Sequence, residues 1–241
     1  MSAKITSINY CPVKSVSFQS VKNCKIKKNI GIIGDRNFAF AKDLDLEQAK
    51  LFEKSPAERK GKWNKVLTLK NSPALNKYNF IFKDEKLTLI FKDNEILSID
   101  INQSTEREAL SNKISELESS LKQPITLMKN DAFPFFDTSI SKKVDFVNSV
   151  SLLNFQSIND FEKKVSKKIE TSIFRGNICI DGLEPWKERE WIGKTIKINN
   201  VSFKVEKNIP RCVAINLKPK TDDNSFNLLQ LLKKNYNHFD M

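Results

Sequence analysis

Apolar and polar residues alternate through KITSINY (4–10) until Pro12 interrupts them, and alternate again in SVKNCKIKK (20–28) through Val21, Cys24 and Ile26. Such a period of two sends successive side chains to opposite faces of a sheet, so both stretches are predicted as strands. RNFAFAK (36–42) follows a Gly-Asp turn signal and reads the same way. Further strands are predicted at 65–70, 79–83, 86–91 and 95–101, with KDEK and KDNE as polar turns among them. Residues 43–64, with Pro56 and Gly61, are expected to form a short helix and a loop.

Beyond residue 101 the apolar period lengthens. Leu110, Ile114, Leu117 and Leu121 recur at helical spacing, Thr105 and Glu108 form a capping-box pair, and Pro124 closes a helix predicted over 104–122. A loop carrying DAFPFFD (131–137) precedes VSLLNF (150–155), a buried strand by its apolar run. That strand leads into a second helix, with Ser157 as N-cap and Ile158, Phe161, Val165 and Ile169 on one face. Strands return at 177–181, 194–198, 201–206 and 212–217, and Leu228, Leu229, Leu232 and Tyr236 mark a last helix over 224–236. Many short strands with three amphipathic helices predict a β-rich α+β fold, barrel-like, with a junction near 100–122.

Composition narrows the classes. Of 241 residues, 39% are hydrophobic and 29% charged, enough for a substantial core. No stretch reaches the roughly 18–20 apolar residues of a membrane span, and MSAKITSINYCPVKS lacks a signal-peptide run. A cytoplasmic protein is expected. Cys11, Cys24, Cys179 and Cys212 contain no CxxC pair and are expected as free thiols. The single histidine, His238, excludes a His-rich metal site and would have to carry any catalytic triad alone. A net charge of +12 raises nucleic-acid binding. The lysines are nevertheless scattered among Asp and Glu without interleaved aromatics, so they read as solvated surface, and nucleic acid is not the expected partner.

Against this lysine-rich background the rare residues carry information. Three of the six arginines, and five of the six glycines, fall in or beside GIIGDRNF (31–38), FRGNICIDGLEPW (174–186) and IPRC (209–212). Arginine retained where lysine is the default suggests that its planar fork is needed for phosphate or carboxylate; ordinary salt bridges are the alternative. In NIPRCVAINLKP, Pro210 holds Cys212 at a predicted strand mouth. Cys212 is either a small buried hydrophobe or a thiolate, favoured by Arg211, that attacks electrophiles or ligates a metal. One thiolate cannot hold zinc or an iron–sulfur cluster unaided. A lone cysteine suits a metal that arrives already chelated by a phosphate-bearing organic cofactor. Lys14 and Ser15 of PVKS, with the forks of Arg36 and Arg175, could serve that phosphate.

YCPVKS followed by GIIGDRNF resembles the N-terminal β-barrel module of MOSC proteins. VSLLNFQSI, FRGNICIDGLEPWKEREWIGK and VEKNIPRCVAINLKP resemble the MOSC domain itself, the molybdenum cofactor sulfurase C-terminal type. The resemblance implies a module over 1–101 and a MOSC domain over 102–241. It also implies a molybdenum cofactor (molybdopterin) whose metal takes one protein cysteine, here Cys212, as metal ligand and catalytic residue. Lys14, Ser15, Arg36, Asn154, Ser157, Arg175, Asn177 and Arg211 become its cofactor-binding positions. A helix N-terminus at Asn154 and Ser157 suits an anion, although a plain N-cap is the other reading of Ser157. Trp186 and Trp191 are expected to pack beneath their loop.

Two departures stand out. Lys218 occupies a position where relatives often carry an acid, and the chain stops at NHFDM where relatives usually continue into another strand, which would leave a sheet edge unpaired. The implied activity resembles that of the amidoxime-reducing component, a two-electron reduction of N-hydroxylated or N-oxide small molecules. Electrons would come from a separate flavoprotein, ferredoxin or cytochrome. The competing reading is a non-catalytic cofactor carrier or sulfur-transfer module using Cys212, since some relatives are fused to pyridoxal-phosphate-dependent sulfurases.

Overall fold

The alternation in KITSINY becomes strand β1 (Lys4–Tyr10) in the computed structural model of the chain, which describes residues 3–16, 18–121, 124–136 and 149–241. Short strands follow: β2 (Gln19–Val21), β3 (Ile26–Lys27), β4 (Gly31–Ile32) and β5 (Phe38–Lys42). Helices α1 (Leu46–Lys54) and α2 (Pro56–Arg59) precede a meander of β6 (Tyr78–Lys83), β7 (Lys86–Phe91) and β8 (Asn94–Asp100). Then come α3 (Ser104–Leu117), β9 (Ile125–Lys129), β10 (Leu152–Asn154), α4 (Phe155–Val165) and β11 (Ile178–Asp181). The chain closes with β12 (Thr195–Ile198), β13 (Val201–Lys204) and α5 (Leu228–Tyr236). Contacts divide it into two units, one of Met1–Ile8, Val150–Lys218 and Asp223–Met241, the other of Asn9–Ser149 and Pro219–Asp222.

In the first unit β11 lies between β10, its parallel partner, and β1, its antiparallel partner. The strand is buried on both faces, hence the unbroken apolar run of ICI. β10 passes directly into α4, whose Ile158 and Phe161 join Leu153, Ile169, Phe174, Cys179, Ile215, Leu228 and Leu232 in one core. Each such side chain contributes about 1.5–3 kcal/mol through the apolar surface it removes from water. α4 ends on Ser166 in the left-handed region (φ 51°), with its N–H bonding back to Glu162 and Lys163.

In the second unit β5 pairs antiparallel with β9, from Phe38 opposite Lys129 to Lys42 opposite Ile125. Ala39, Ala41 and Met128 meet Ala49, Phe52, Val66 and Phe135 in its core, with Leu110 and Ile114 of α3 fully buried nearby in sequence to β9. The meander turns on Asp84–Glu85 and Lys92–Asp93, all four with positive φ, the two-residue geometry that matches strand twist.

Several expectations are corrected. Among the described residues the strands form open sheets and not a closed barrel, and the stretch expected to hold one short helix holds two, α1 and α2. The 20–28 run splits into β2 and β3. Residues 65–70 are not a strand. Asn71 captures their backbone, accepting from Thr68 N (2.8 Å) and donating to Val66 O (3.0 Å). Residues 212–217 turn instead of extending, because Ile215 N and Leu217 N bond locally to Cys212 O and Ala214 O, while Asn216 Oδ1 accepts from Leu229 N at the start of α5. α3 begins at Ser104 after Gln103, so Thr105 lies inside it and caps nothing, and Glu106 reaches back to Asp100 N (2.6 Å). α4 is capped by Asn154, not Ser157. Lys122 and Asp137, ends of a predicted helix and loop, lie outside the described residues.

Candidate functional site

The sequence-predicted residues fall into two groups, one in each unit. In the second unit, residues 11–14 run beside 35–38. Arg36 N donates to Cys11 O (2.6 Å), Phe38 N to Pro12 O (3.0 Å) and Lys14 N to Phe38 O (2.8 Å), while Cys11 N donates to Asp35 Oδ1 (2.7 Å). Lys14, Ser15 and Arg36 therefore sit on neighbouring backbone. Ser15 (φ 63°) and Arg36 (φ 57°) both hold left-handed conformations that non-glycine residues rarely adopt. Gly34 answers two demands at once: its φ is +92°, and a Cβ there would lie 3.3 Å from the Tyr10 ring. The side chain of Lys14 is buried, its Nζ 5.6 Å from the centre of the Trp63 ring. Arg36 pairs with buried Asp35 and stacks 4.7 Å from Phe136.

In the first unit, Cys212 is exposed, whereas Cys11 and Cys179 are buried and Cys24 half-buried. That removes the buried-hydrophobe reading for Cys212. Its backbone is extended (φ −119°, ψ 178°) and leads into a 3-10 turn, Val213–Asn216. Arg211 turns its guanidinium inward: Nη1 donates to Phe174 O (3.0 Å) and Nη2 to Met241 O (2.6 Å), while Nε is buried with no acceptor. Burial pulls this guanidinium down to about 10, against the opposing attraction of Cys212 and Asp240. Arg175 follows Phe174 directly, half-exposed and left-handed (φ 53°), and ends the 3-10 turn Thr171–Phe174. The fold thus sets Arg211 against the carbonyl just before Arg175. Gly176 permits this path, for a Cβ there would lie 2.4 Å from Leu153 Cδ1.

The remaining positions are engaged internally. Asn177 Oδ1 accepts from Ser151 N (3.1 Å) and Oγ (2.9 Å), tying β11 to the entry of β10. Asn154 Nδ2 donates to Glu184 O and Glu188 Oε2 (both 2.8 Å), and Ser157 Oγ donates to Glu188 Oε1 (2.7 Å) while accepting from Trp186 N (2.8 Å). At the N-terminus of α4 the place suited to an anion is taken by a carboxylate of the chain itself. Residue spacing gave no signal for Glu188, 31 positions beyond Ser157. Trp186 packs against Tyr236 (4.4 Å between centroids) and donates from Nε1 to Asp160 (2.8 Å), as its packing role required.

A cofactor-borne metal fits the first-unit residues on two observations, the exposed sulfur of Cys212 and the buried, unsatisfied Nε of Arg211. Among the described residues no three of His, Cys, Asp and Glu gather as a metal cage. A metal held here would need to bring further ligands with it.

Residues 143–239, which include Cys212, Arg211 and the α4–β11 segment, match the MOSC domain family. Over that segment the chain is similar to the MOSC domain family. MOSC domains are associated with molybdenum-cofactor binding. Over 92 residues the chain is 28% identical to mitochondrial amidoxime reducing component 2 of Bos taurus, a match covering 38% of this chain and 27% of that protein. The match therefore spans about a quarter of that relative's length. Among the described residues no helix is long and apolar enough to cross a membrane.

Proposed function

We propose that this protein binds a molybdenum cofactor through Cys212 and reduces N-hydroxylated or N-oxide small molecules. The observation that carries the reading is the exposed thiol of Cys212, alone in that respect among the four cysteines, beside an arginine with an unsatisfied buried N–H. Similarity to the amidoxime reducing component supports the choice of reaction. Converting N–OH to N–H and water consumes two electrons and two protons. When bound, the cofactor supplies that two-electron chemistry at the metal. The chain's own residues would anchor and orient it: Cys212 as thiolate ligand, Arg175 as a fork toward an anionic group, and Arg211 beside the thiolate as a fixed cation.

Lys14, Ser15 and Arg36 are further proposed cofactor contacts. Asn154, Ser157 and Asn177, the other proposed cofactor-binding positions, would act more indirectly, since their side chains hold Glu188, Trp186 and Ser151. Electrons would come from a separate donor protein.

The test is purification from a molybdenum-competent host, quantification of bound molybdenum and pterin, and an amidoxime-reduction assay with an artificial donor. Near-stoichiometric metal, lost in Cys212→Ser while the circular-dichroism spectrum is unchanged, is the expected result. Retention of molybdenum by Cys212→Ser overturns the ligand assignment. Bound cofactor without turnover would favour the carrier or sulfur-transfer reading, for which an exposed thiol is equally suited.

A further inference from the structure

The chain's one histidine has no part in the site described above. His238 follows α5 and is clamped by donors from two directions. Arg189 approaches with Nη1 2.7 Å from Nε2 and Nη2 3.2 Å from Nδ1, and Asp240 N donates to Nδ1 (3.2 Å). The ring stacks on Tyr236 (5.8 Å, 24°) and meets Trp186 edge-on (6.0 Å). Just beyond it, residues 239–241 pair with 209–211. Arg211 N donates to Phe239 O (2.9 Å), Pro210 bridges Asp240, and Arg211 Nη2 donates to Met241 O.

We propose that His238 is the trigger of an acid-sensitive latch, which fastens residues 238–241 to 209–211 and thereby holds Arg211 beside Cys212. A guanidinium and a backbone N–H only donate, so the ring nitrogen that receives them, Nδ1 or Nε2 according to tautomer but not both, must carry a lone pair. A neutral imidazole has one; an imidazolium has none and sets a second cation against Arg189. The charged groups facing the ring are Arg189, Lys233 and Asp240, and the neighbouring Tyr236 and Trp186 rings carry no charge. Only Asp240 opposes the two cations, and its carboxylate is already 3.8 Å from Arg189 Nη2.

Burial, and then Arg189, lower the affinity of His238 for a proton in the closed arrangement. The opened segment therefore binds a proton more readily. Closure is complete above the ordinary histidine value of about 6.5 and weakens as pH falls through the lowered folded value. Opening removes Phe239 O from Arg211 N and Met241 O from Nη2, leaving the guanidinium held by Phe174 O alone, with its Nε already lacking an acceptor. This latch is independent of whether a cofactor is bound.

Hydrogen exchange on the full chain, read by mass spectrometry between pH 7.5 and 5 and corrected for intrinsic rates, tests it. Protection in peptides covering 205–217 and 234–241 should fall roughly tenfold per unit of separation between the folded and unfolded values. His238→Gln, which keeps an acceptor but does not titrate, should abolish that pH dependence. Arg189→Gln should move the midpoint up toward the ordinary histidine value. Flat protection in the wild type, an unchanged midpoint in Arg189→Gln, or the same titration in His238→Gln would each overturn the latch.

Discussion

Gly176 offers the sharpest test of how the first unit is packed. Its φ is not in the left-handed region, so the backbone would accept alanine; space is the obstacle. A Cβ there would meet Leu153 Cδ1 at 2.4 Å, Cγ at 2.6 Å and Cβ at 3.3 Å. Rotating the leucine moves its methyls but not its Cβ, and Leu153 is only 2% exposed, packed within the core, so it has nowhere to go. Overpacking of this kind costs about 1–3 kcal/mol. In a chain of this size that lowers the thermal midpoint by roughly 2–4 °C per kcal/mol.

The decisive measurement is a double-mutant cycle by urea denaturation. Leu153→Ala alone should cost about 2–5 kcal/mol through its cavity. Because it also removes the clashing atoms, Gly176→Ala in that background should cost about 1 kcal/mol or more less than in the wild type. Strictly additive effects would show that the glycine is not there to admit Leu153.

Two further predictions concern groups that sequence reasoning did not single out for a structural role. Arg59 is buried, donates from Nε to Phe52 O (2.8 Å) and from Nη1 to Pro134 O (3.0 Å), and stacks 4.0 Å from Phe135. Burial lowers its guanidinium to about 10, with Glu53 opposing. Arg59→Met strands two buried carbonyls and should cost about 2 kcal/mol in chemical denaturation, and an unchanged midpoint would refute it. For Asp160, burial pushes the carboxyl up, but hydrogen bonds from Trp186 and Tyr236, with Lys164 alongside, outweigh it and hold it below the usual range. A lowered folded value means stability present above the unfolded value of about 3.9 and lost as pH falls through the folded one. Asp160→Asn should flatten that acid limb of the urea midpoint against pH, and an identical limb in the variant would contradict the assignment.

Patterning along the chain was sufficient for much of the architecture. β1, β5, the β6–β8 meander, β11 and the apolar face of α4 were legible because alternation and helical spacing are local properties that burial then merely exploits. The strands forecast at 65–70 and 212–217 failed for local reasons that apolar content hides: Asn71 offers the first backbone side-chain partners that compete with a sheet ladder, and backbone bonds within the second close a 3-10 turn.

Rarity in composition marked Cys212, Arg175 and Arg211 as candidates, since scarce arginines against a lysine background draw attention to fork geometry. What sequence could not decide was where each group points. The inward turn of Arg211 and the capture of Asn154 and Ser157 by Glu188 depend on partners 30 or more residues away, and the exposure of Cys212 is likewise not a property of its neighbours in sequence. Hydrogen bonds and burial between distant segments are products of packing. No spacing rule along the chain encodes them, and the chemistry open to these side chains was settled only when the chain had folded.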